Sequence, residues 1–147
     1  LITAVEEVND AQKLVIAQKI VNRFGEDLSR FTFGIWGLAF KPGTDDMRES
    51  PAIPIINYLL TKKSLITAFD PVAQEEAKKI FETDKIVYSK SIDGVVKGVD
   101  VIILLTRWPE FEVIPHVLNT SKNIPLLIDG RRMLDKNCVP RYEGIGL

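Results

Sequence analysis

The sequence predicts an α/β protein in which helices cover both faces of a doubly wound parallel β-sheet, with one long helix in front of it. Two observations carry this prediction. Short β-branched and aromatic segments alternate with amphipathic segments along most of the 147 residues, as in repeated strand–helix–strand units. Residues 100–105 are almost wholly apolar, and such a run indicates a strand that is buried on both faces of the sheet.

The first segment has a helical pattern. Apolar residues recur at intervals of three and four from residue 1 to about residue 24, which predicts one amphipathic helix. Gly25 is a suitable C-terminal cap, and a polar connection over residues 26–30 follows it. No cap residue precedes Leu1, so we interpret the sequence as a piece of a longer protein.

The first strand and the helix after it flank a polar loop. Residues 31–38 are β-branched and aromatic and predict the strand, and the loop covers residues 41–50. We expect the helix to begin at Ser50 and Pro51, because Ser is a good N-cap and Pro suits the first turn. The predicted buried face of this helix consists of Ile53, Ile56, Tyr58, Leu59 and Leu60.

The remaining elements repeat this unit. Further strands are predicted over residues 65–69, 86–88, 100–105 and 124–128. Helices are predicted over residues 72–81, 91–97 (interrupted at Gly94) and 109–118. Residues 142–147 are a candidate sixth strand at an edge. Right-handed crossovers between such units give a three-layer, Rossmann-like sheet with strand order 3-2-1-4-5.

The composition excludes several classes of function. Nineteen Lys and Arg residues against twenty Asp and Glu residues give a net charge of -1, so no general field favours nucleic acid or an anionic membrane. One Cys and one His disfavour a disulfide framework and a Cys/His metal site, and they indicate a reducing compartment. No apolar run approaches the roughly 18 residues of a membrane helix. We therefore expect a cytoplasmic protein that holds any anionic ligand through a local cluster.

Some residues weakly suggest a dinucleotide site or a nucleophile. Gly34 and Gly37 make up half of a dinucleotide-binding fingerprint, but the third glycine is missing. Asp70 ends the second strand, where a ribose-binding acid would lie, although we favour its role as a turn initiator before proline. His116 has no partner Ser or Cys at a readable spacing, and nothing beside Cys138 would activate its thiol.

The loop over residues 41–50 is more informative. It places two cations, three acids and two hydroxyls between a strand end and a helix N-terminus, and ligands bind at this edge of an open parallel sheet. Binding of an anion and pairing of the loop's own charges are equal alternatives at this stage.

A second cationic segment follows the fifth strand. Arg131 and Arg132 present two guanidinium groups, which suit phosphate oxygens, or which pair instead with Asp129 or Asp135. The predicted strand order changes direction between the first and fourth strands, which creates a crevice. Four cations are expected to face it, namely Lys41, Arg48, Arg107 and Arg131.

Several motifs together resemble a known family. The segment GLAFKPGTDDMRESP at residues 37–51 is followed by FDP at 69–71, WPEF at 108–111 and DGR at 129–131. These motifs resemble the C-terminal domain of the nucleotide-sugar dehydrogenases, the UDP-glucose/GDP-mannose dehydrogenase family. The resemblance covers essentially the whole chain. It implies that residues 1–24 end the central connecting and dimerisation helix and that residues 25–147 form the UDP-sugar-binding domain.

The resemblance also implies a reaction and roles for residues. The family's enzymes oxidise UDP-glucose or a similar nucleotide sugar with two NAD, through a catalytic Cys, and they form homodimers or larger homo-oligomers. Phe40, Lys41 and Arg131 match substrate-binding positions, and Arg48 matches a residue that contacts the NAD pyrophosphate. Arg132 stands where many bacterial members have Asn.

The resemblance places the rest of the machinery elsewhere. The family's NAD fingerprint, catalytic Cys and catalytic Lys and Asn are not found in this sequence, which implies that NAD is bound mainly by an N-terminal domain and that this chain alone is inactive. A GDP-mannose substrate and a non-catalytic assembly module with the same fold remain alternatives.

Overall fold

The computed structural model describes residues 15–145 and contains one six-stranded parallel sheet. Its strands are β1 (Thr32–Trp36), β2 (Leu65–Phe69), β3 (Ile86–Tyr88), β4 (Val101–Leu104), β5 (Leu126–Asp129) and β6 (Tyr142–Gly144). The helices are α1 (residues 15–24), α2 (Ala52–Thr61), α3 (Gln74–Ile80), α4 (Ile92–Val96) and α5 (Ile114–Asn119). Two 3₁₀ segments cover Pro109–Val113 and Lys136–Cys138. Residues 1–14 of the predicted first helix lie outside the described residues.

The strand order is β3-β2-β1-β4-β5-β6. The predicted order 3-2-1-4-5 is therefore confirmed, and the candidate sixth strand does lie at the edge, parallel to β5. The chain changes direction between β1 and β4, where Phe33 pairs with Val101 while its other neighbour is Ile66 on β2. Such a switch point is where an open α/β sheet leaves room for a ligand at the carboxyl ends of its strands.

The centre of the sheet forms the core. All four residues of β4 and all four of β5 are buried. Burial on both faces is therefore confirmed for the apolar residues 101–105, whereas Asp100, the first residue of the predicted strand, is exposed. Trp36, Phe69 and Phe111 cluster beside the sheet, with ring centroids 6.4 Å apart in both contacts of Phe111. Tilted aromatic pairs at this spacing add attraction beyond the area they bury.

Helix α1 packs with a slightly different face than its periodicity predicts. Ile16 and Ile20 are each 1% exposed and belong to the core, whereas Val15, a predicted member of the apolar stripe, is 41% exposed. Lys19 and Arg23 on this helix pair with Glu143 of β6 at 3.1 and 3.3 Å. The described part of α1 therefore covers part of the same core as the sheet.

Helix α2 begins one residue later than predicted. Pro51 occupies the N-cap position with helical dihedral angles, so the expectation that Ser50 is the N-cap is wrong. The Ser50 hydroxyl nevertheless accepts a hydrogen bond from the Ala52 amide at 3.1 Å. The fully buried face consists of Ala52, Ile55, Ile56 and Leu59, while Ile53, Tyr58 and Leu60 are half-buried.

Two other helix predictions need correction. Helix α4 runs through Gly94 without interruption. The Ser91 hydroxyl accepts a hydrogen bond from the Gly94 amide at 3.1 Å and so caps the helix. The side chain of Ser89 occupies the space where a Cβ on residue 94 would lie. The predicted helix at residues 109–118 divides into a 3₁₀ segment and α5. Pro115 lacks the amide hydrogen that a continuous α-helix would require there, so the hydrogen-bond ladder changes at that point.

Candidate functional site

The loops after β1, β2, β4 and β5 meet at one edge of the sheet, which we call the carboxyl edge. They cover residues 37–51, 70–73, 105–108 and 130–135. The fold places the cations Lys41, Arg48, Arg107 and Arg131 on these loops. Their assembly into a single crevice remains a prediction, whereas their shared edge follows from the topology.

Asp70 anchors three of these loops. Its Oδ2 accepts hydrogen bonds from the amides of Leu38 (2.8 Å) and Ala39 (3.0 Å) and from Nε1 of Trp108 (3.0 Å). Its Oδ1 accepts from the amides of Val72 (2.9 Å) and Ala73 (2.8 Å). The last two bonds confirm the interpretation of Asp70 as a turn initiator. The side chain is 3% exposed, so its oxygens are occupied by the protein and unavailable to a ribose hydroxyl.

The two glycines of the partial fingerprint serve packing. A Cβ on Gly34 would lie 2.6 Å from Cγ1 of Val95, so this glycine lets α4 approach β1 closely. Gly37 has a φ of +99°, and a Cβ there would lie 2.6 Å from Thr106. The positive φ and the close approach of the β4 loop both favour glycine at this turn.

These residues do not form an independent site for NAD, the cofactor that the resemblance implies. Asp70 is saturated with protein donors, and Gly37 faces Thr106. The fold also separates Gly37 from the start of α2 at Ala52 by a long loop, whereas a dinucleotide site has a helix N-terminus directly after its glycine turn.

Phe40 and Lys41 extend outward from the carboxyl edge. The Phe40 amide donates to the carbonyl of Asp46 at 2.8 Å, which closes the loop, while the residue as a whole is 40% exposed. Lys41 is exposed, and within residues 15–145 no carboxylate lies within 4.0 Å of its ammonium group. An exposed ring beside such an ammonium group offers one apolar and one cationic contact to a ligand.

Arg48 is paired inside its own loop. Its Nη2 donates to Oδ2 of Asp46 at 2.8 Å, its Nε donates to Oδ1 at 3.1 Å, and its side chain is 89% exposed. These hydrogen bonds, together with one from the Arg48 amide, lower the pKa of Asp46 to about 2. Pairing of the loop's own charges, one of the two sequence alternatives, thus occurs for this arginine.

The position of Arg48 relative to the sheet is also defined. It lines a cavity of about 620 Å³ together with Glu76 and Ile80 of α3. Because α3 follows β2, this cavity lies on the β2 side of β1. Arg131, which follows β5, lies on the opposite side of β1 in the strand order.

The β5 loop is organised by a second buried aspartate. Asp129 is fully buried, and its carboxylate accepts from the amides of Arg131 (3.0 Å) and Leu134 (2.8 Å) and from the Tyr142 hydroxyl (3.0 Å). Burial and the hydrogen bond that the Tyr142 hydroxyl donates to Asp129 raise the pKa of Tyr142 to about 12. The guanidinium groups of Arg131 and Arg132 are exposed, and neither forms an ion pair with a carboxylate of the described chain. The predicted alternative of pairing with Asp129 or Asp135 is therefore wrong for both.

Sequence reasoning missed three supporting residues of the carboxyl edge. The sequence marks Ser50 as a helix cap and as a hydroxyl of the polar loop but not as a partner of Leu38, and it gives no sign of a role for Thr106. Trp108 drew notice only as part of a motif. Their partners lie 12, 67 and 38 positions away along the chain, so no local pattern could have revealed them.

The other candidate groups lie away from this edge. His116 is exposed on α5 and lines a cavity of about 490 Å³ beside Gly98 and Asn123, near the amino ends of β4 and β5. Cys138 is exposed with a free thiol. Between residues 15 and 145, no three His, Cys, Asp or Glu side chains are placed to hold a metal ion. In the same range, no helix has the length and apolar character to cross a membrane.

The fold and its cationic edge define an α/β domain of the kind that binds nucleotides at the carboxyl ends of parallel strands. Residues 34–136 match the UDP binding domain of the UDP-glucose/GDP-mannose dehydrogenase family, and the chain belongs to that family.

Known relatives agree with this assignment. A UDP-glucose 6-dehydrogenase of Rickettsia conorii is 35% identical over 152 residues, which cover 99% of this chain and 35% of the relative. The chain therefore spans about a third of that relative's length. A UDP-glucose dehydrogenase structure from the hyperthermophilic archaeon Pyrobaculum islandicum superposes with a TM-score of 0.79 at 30% identity, over 97% of this chain and 31% of that one. A GDP-mannose dehydrogenase structure from Pseudomonas aeruginosa gives 0.70 at 26% identity, over 95% and 32%.

Proposed function

We propose that this chain binds the nucleotide sugar UDP-glucose as the C-terminal domain of an NAD-dependent UDP-glucose 6-dehydrogenase. The observation that carries the proposal is the pair Phe40 and Lys41, an exposed ring and an exposed ammonium group on an immobilised backbone at the carboxyl edge. This pair lies inside the segment that matches the family's UDP binding domain.

Each proposed binding residue has a distinct task. Lys41 and Arg131 neutralise negative charge on the substrate, and the planar guanidinium group can donate two parallel hydrogen bonds to phosphate oxygens. The Phe40 ring covers an apolar face of the ligand and excludes water from it. Arg48 meets the pyrophosphate of NAD, for which it must first leave Asp46 at 2.8 Å.

The reaction itself needs groups beyond those described above. NAD supplies the hydride acceptor, and the resemblance implies that two NAD are reduced as the sugar alcohol becomes a carboxylate. In the proposed enzyme, which acts in the cytoplasm as a homodimer or larger homo-oligomer, this chain binds and orients the nucleotide sugar. The resemblance implies the cofactor contact for Arg48 and the substrate contact for Arg131, and separate roles are supported by their location on opposite sides of β1 in the strand order.

The experiment is a comparison of substrates on the full-length enzyme. NADH formation is measured with UDP-glucose, and GDP-mannose is then added as a competitor. We expect turnover of UDP-glucose, a large rise of its KM in Lys41→Ala, and no change in Lys85→Ala. Lys85 is the matched control because it is an exposed cation at the amino end of β3. Full-length enzyme that forms no NADH from UDP-glucose would refute the proposal.

GDP-mannose is the second candidate substrate. It is supported by the fold similarity to the GDP-mannose dehydrogenase over 95% of this chain. The same competition separates the two, because the preferred substrate is turned over and the other inhibits only weakly. Preferred turnover of GDP-mannose would change the assigned substrate while keeping the family.

A further inference from the structure

The dipeptide Leu38–Ala39 comes directly before the proposed binding pair and is held at all four of its backbone polar groups. Both amides donate to Oδ2 of Asp70, at 2.8 and 3.0 Å. Both side chains are fully buried. The backbone on the amino side of Phe40 therefore has one well-defined direction.

Two buried hydroxyls complete this support from other parts of the chain. Ser50 Oγ donates to the Leu38 carbonyl at 2.6 Å, and Thr106 Oγ1 donates to the Ala39 carbonyl at 2.7 Å. Each of these side chains is 1% exposed. The hydroxyls thus replace water as the partners of two carbonyl groups at the edge of the sheet.

A fifth hydrogen bond connects the loop after β4 to Asp70. Trp108, which is 5% exposed, donates from its indole Nε1 to the same Oδ2 of Asp70 at 3.0 Å. Residues from the ends of β1, β2 and β4 consequently meet at one carboxylate. Charge-assisted bonds of this kind are stronger than neutral ones and are shielded here from water.

We infer that Ser50, Asp70 and Thr106 are positioning residues for nucleotide-sugar binding, which hold the backbone from which Phe40 and Lys41 reach the ligand. This inference rests on the proposed function. None of the three side chains needs to touch the ligand. Their contribution is that the loop is ordered before binding, so that less conformational entropy is lost when the ligand arrives.

A purely structural role would give a different outcome, and the chain offers a matched control for it. Ser64 is fully buried and its hydroxyl also donates to a backbone carbonyl, that of Leu28, at 2.9 Å. It lies just before β2, at the amino edge of the sheet. Ser50→Ala and Ser64→Ala therefore remove the same kind of bond at opposite ends of the sheet.

The test measures melting temperature, kcat and both KM values for these variants of the full-length enzyme. We expect both to lower the melting temperature, but only Ser50→Ala to raise the KM for UDP-glucose, by about tenfold, with kcat and the KM for NAD within about twofold of wild type. Equal UDP-glucose KM values for the two variants would overturn the inference. Wild-type enzyme without activity on UDP-glucose would instead overturn the proposed function.

A second pair of variants protects the test against misfolding of Ser50→Ala. Thr106→Val keeps the side-chain shape but removes the hydroxyl, and Thr106→Ser keeps the hydroxyl. We expect Thr106→Val to raise the KM for UDP-glucose by about tenfold and Thr106→Ser to restore a near wild-type value. Hydrogen exchange at residues 38–41 should rise in Thr106→Val alone. A raised KM in both variants, or in neither, contradicts a positioning role for this hydroxyl.

Discussion

The loops after β1 and β5 each carry arginine next to aspartate, but the two aspartates have different partners. In the β1 loop, Asp46 is turned toward the surface and pairs with Arg48 at 2.8 Å. At the end of β5, directly before the β5 loop, Asp129 is turned inward and accepts hydrogen bonds from two amides and a tyrosine hydroxyl. An acid that is occupied by backbone donors leaves its neighbouring arginine available for a ligand, whereas an acid at the surface competes for it.

The inward orientation of Asp129 has a counterpart in Asp70. Asp129 is the last residue of β5 and Asp70 directly follows β2. Both are buried, and both accept at least two amide hydrogen bonds. Burial of a charge is costly unless hydrogen bonds compensate for it. The comparison suggests that each aspartate fixes a loop, and that differences in the number of donors should appear in stability.

The largest expected effect is on folding. Asp70→Ala leaves five donors without their acceptor, against three for Asp129→Ala. Because each buried donor without a partner is costly, we expect losses of about 4 kcal/mol and about 3 kcal/mol in the free energy of unfolding. Urea unfolding of both variants measures this, with exposed Glu75→Ala as a control that should change little. A smaller loss for Asp70→Ala than for Asp129→Ala would show that donor number does not set the anchoring strength.

The next effect concerns ligand affinity. Arg131→Ala in the full-length enzyme should raise the KM for UDP-glucose by about one to two decades, because a charge-assisted phosphate contact contributes on the order of 1.5 to 3 kcal/mol. Arg48→Ala should act mainly on the KM for NAD. Steady-state kinetics with each substrate varied in turn gives both values. If both variants changed the same KM, the assignment of the two arginines to different ligands would be wrong.

A smaller effect should follow from releasing Arg48. Asp46→Asn removes the carboxylate that holds this guanidinium group, so Arg48 should reach the cofactor more readily and the KM for NAD should fall by about two- to fivefold, the range of an exposed ion pair. The KM for UDP-glucose should not move. A rise in the KM for NAD would mean that the Asp46 pair holds Arg48 in its binding position.

The smallest effects are those of pH on stability, and they have opposite signs for Tyr142 of β6, which binds Asp129, and for Asp46 of the β1 loop. The pKa of Tyr142 is raised to about 12 in the folded protein. Its contribution to the free energy of unfolding is therefore complete below the unfolded-state pKa of about 10 and is lost as pH rises toward 12. The pKa of Asp46 is lowered to about 2, so its contribution is present above about pH 4 and is lost as pH falls toward 2.

Melting temperatures across both pH ranges test this. Tyr142→Phe should flatten the alkaline decline without altering the acid one, and Asp46→Asn should do the reverse. An unchanged alkaline profile in Tyr142→Phe would show that its hydroxyl does not couple to the β5 loop in solution.

Much of the fold was predictable from local pattern. The predicted bounds of β2 and β3 agree with the structure, because period-two and fully apolar runs are local properties of a strand. Handedness of the crossovers then leaves few strand orders, and the observed order is the predicted one. The errors at Ser50, Gly94 and residues 109–118 arose where a neighbouring contact or Pro115 decided the helix geometry.

The sequence by itself thus determined the strands, their order and the edge of the sheet on which the cations lie. Only the tertiary structure decided which side chains bind the backbone amides and carbonyls of each loop. Asp70 reaches amides 31 and 32 positions away, and Thr106 reaches a carbonyl 67 positions away. Such partners are chosen by the sheet, which brings the ends of β1, β2 and β4 together, and no interval along the chain encodes that proximity.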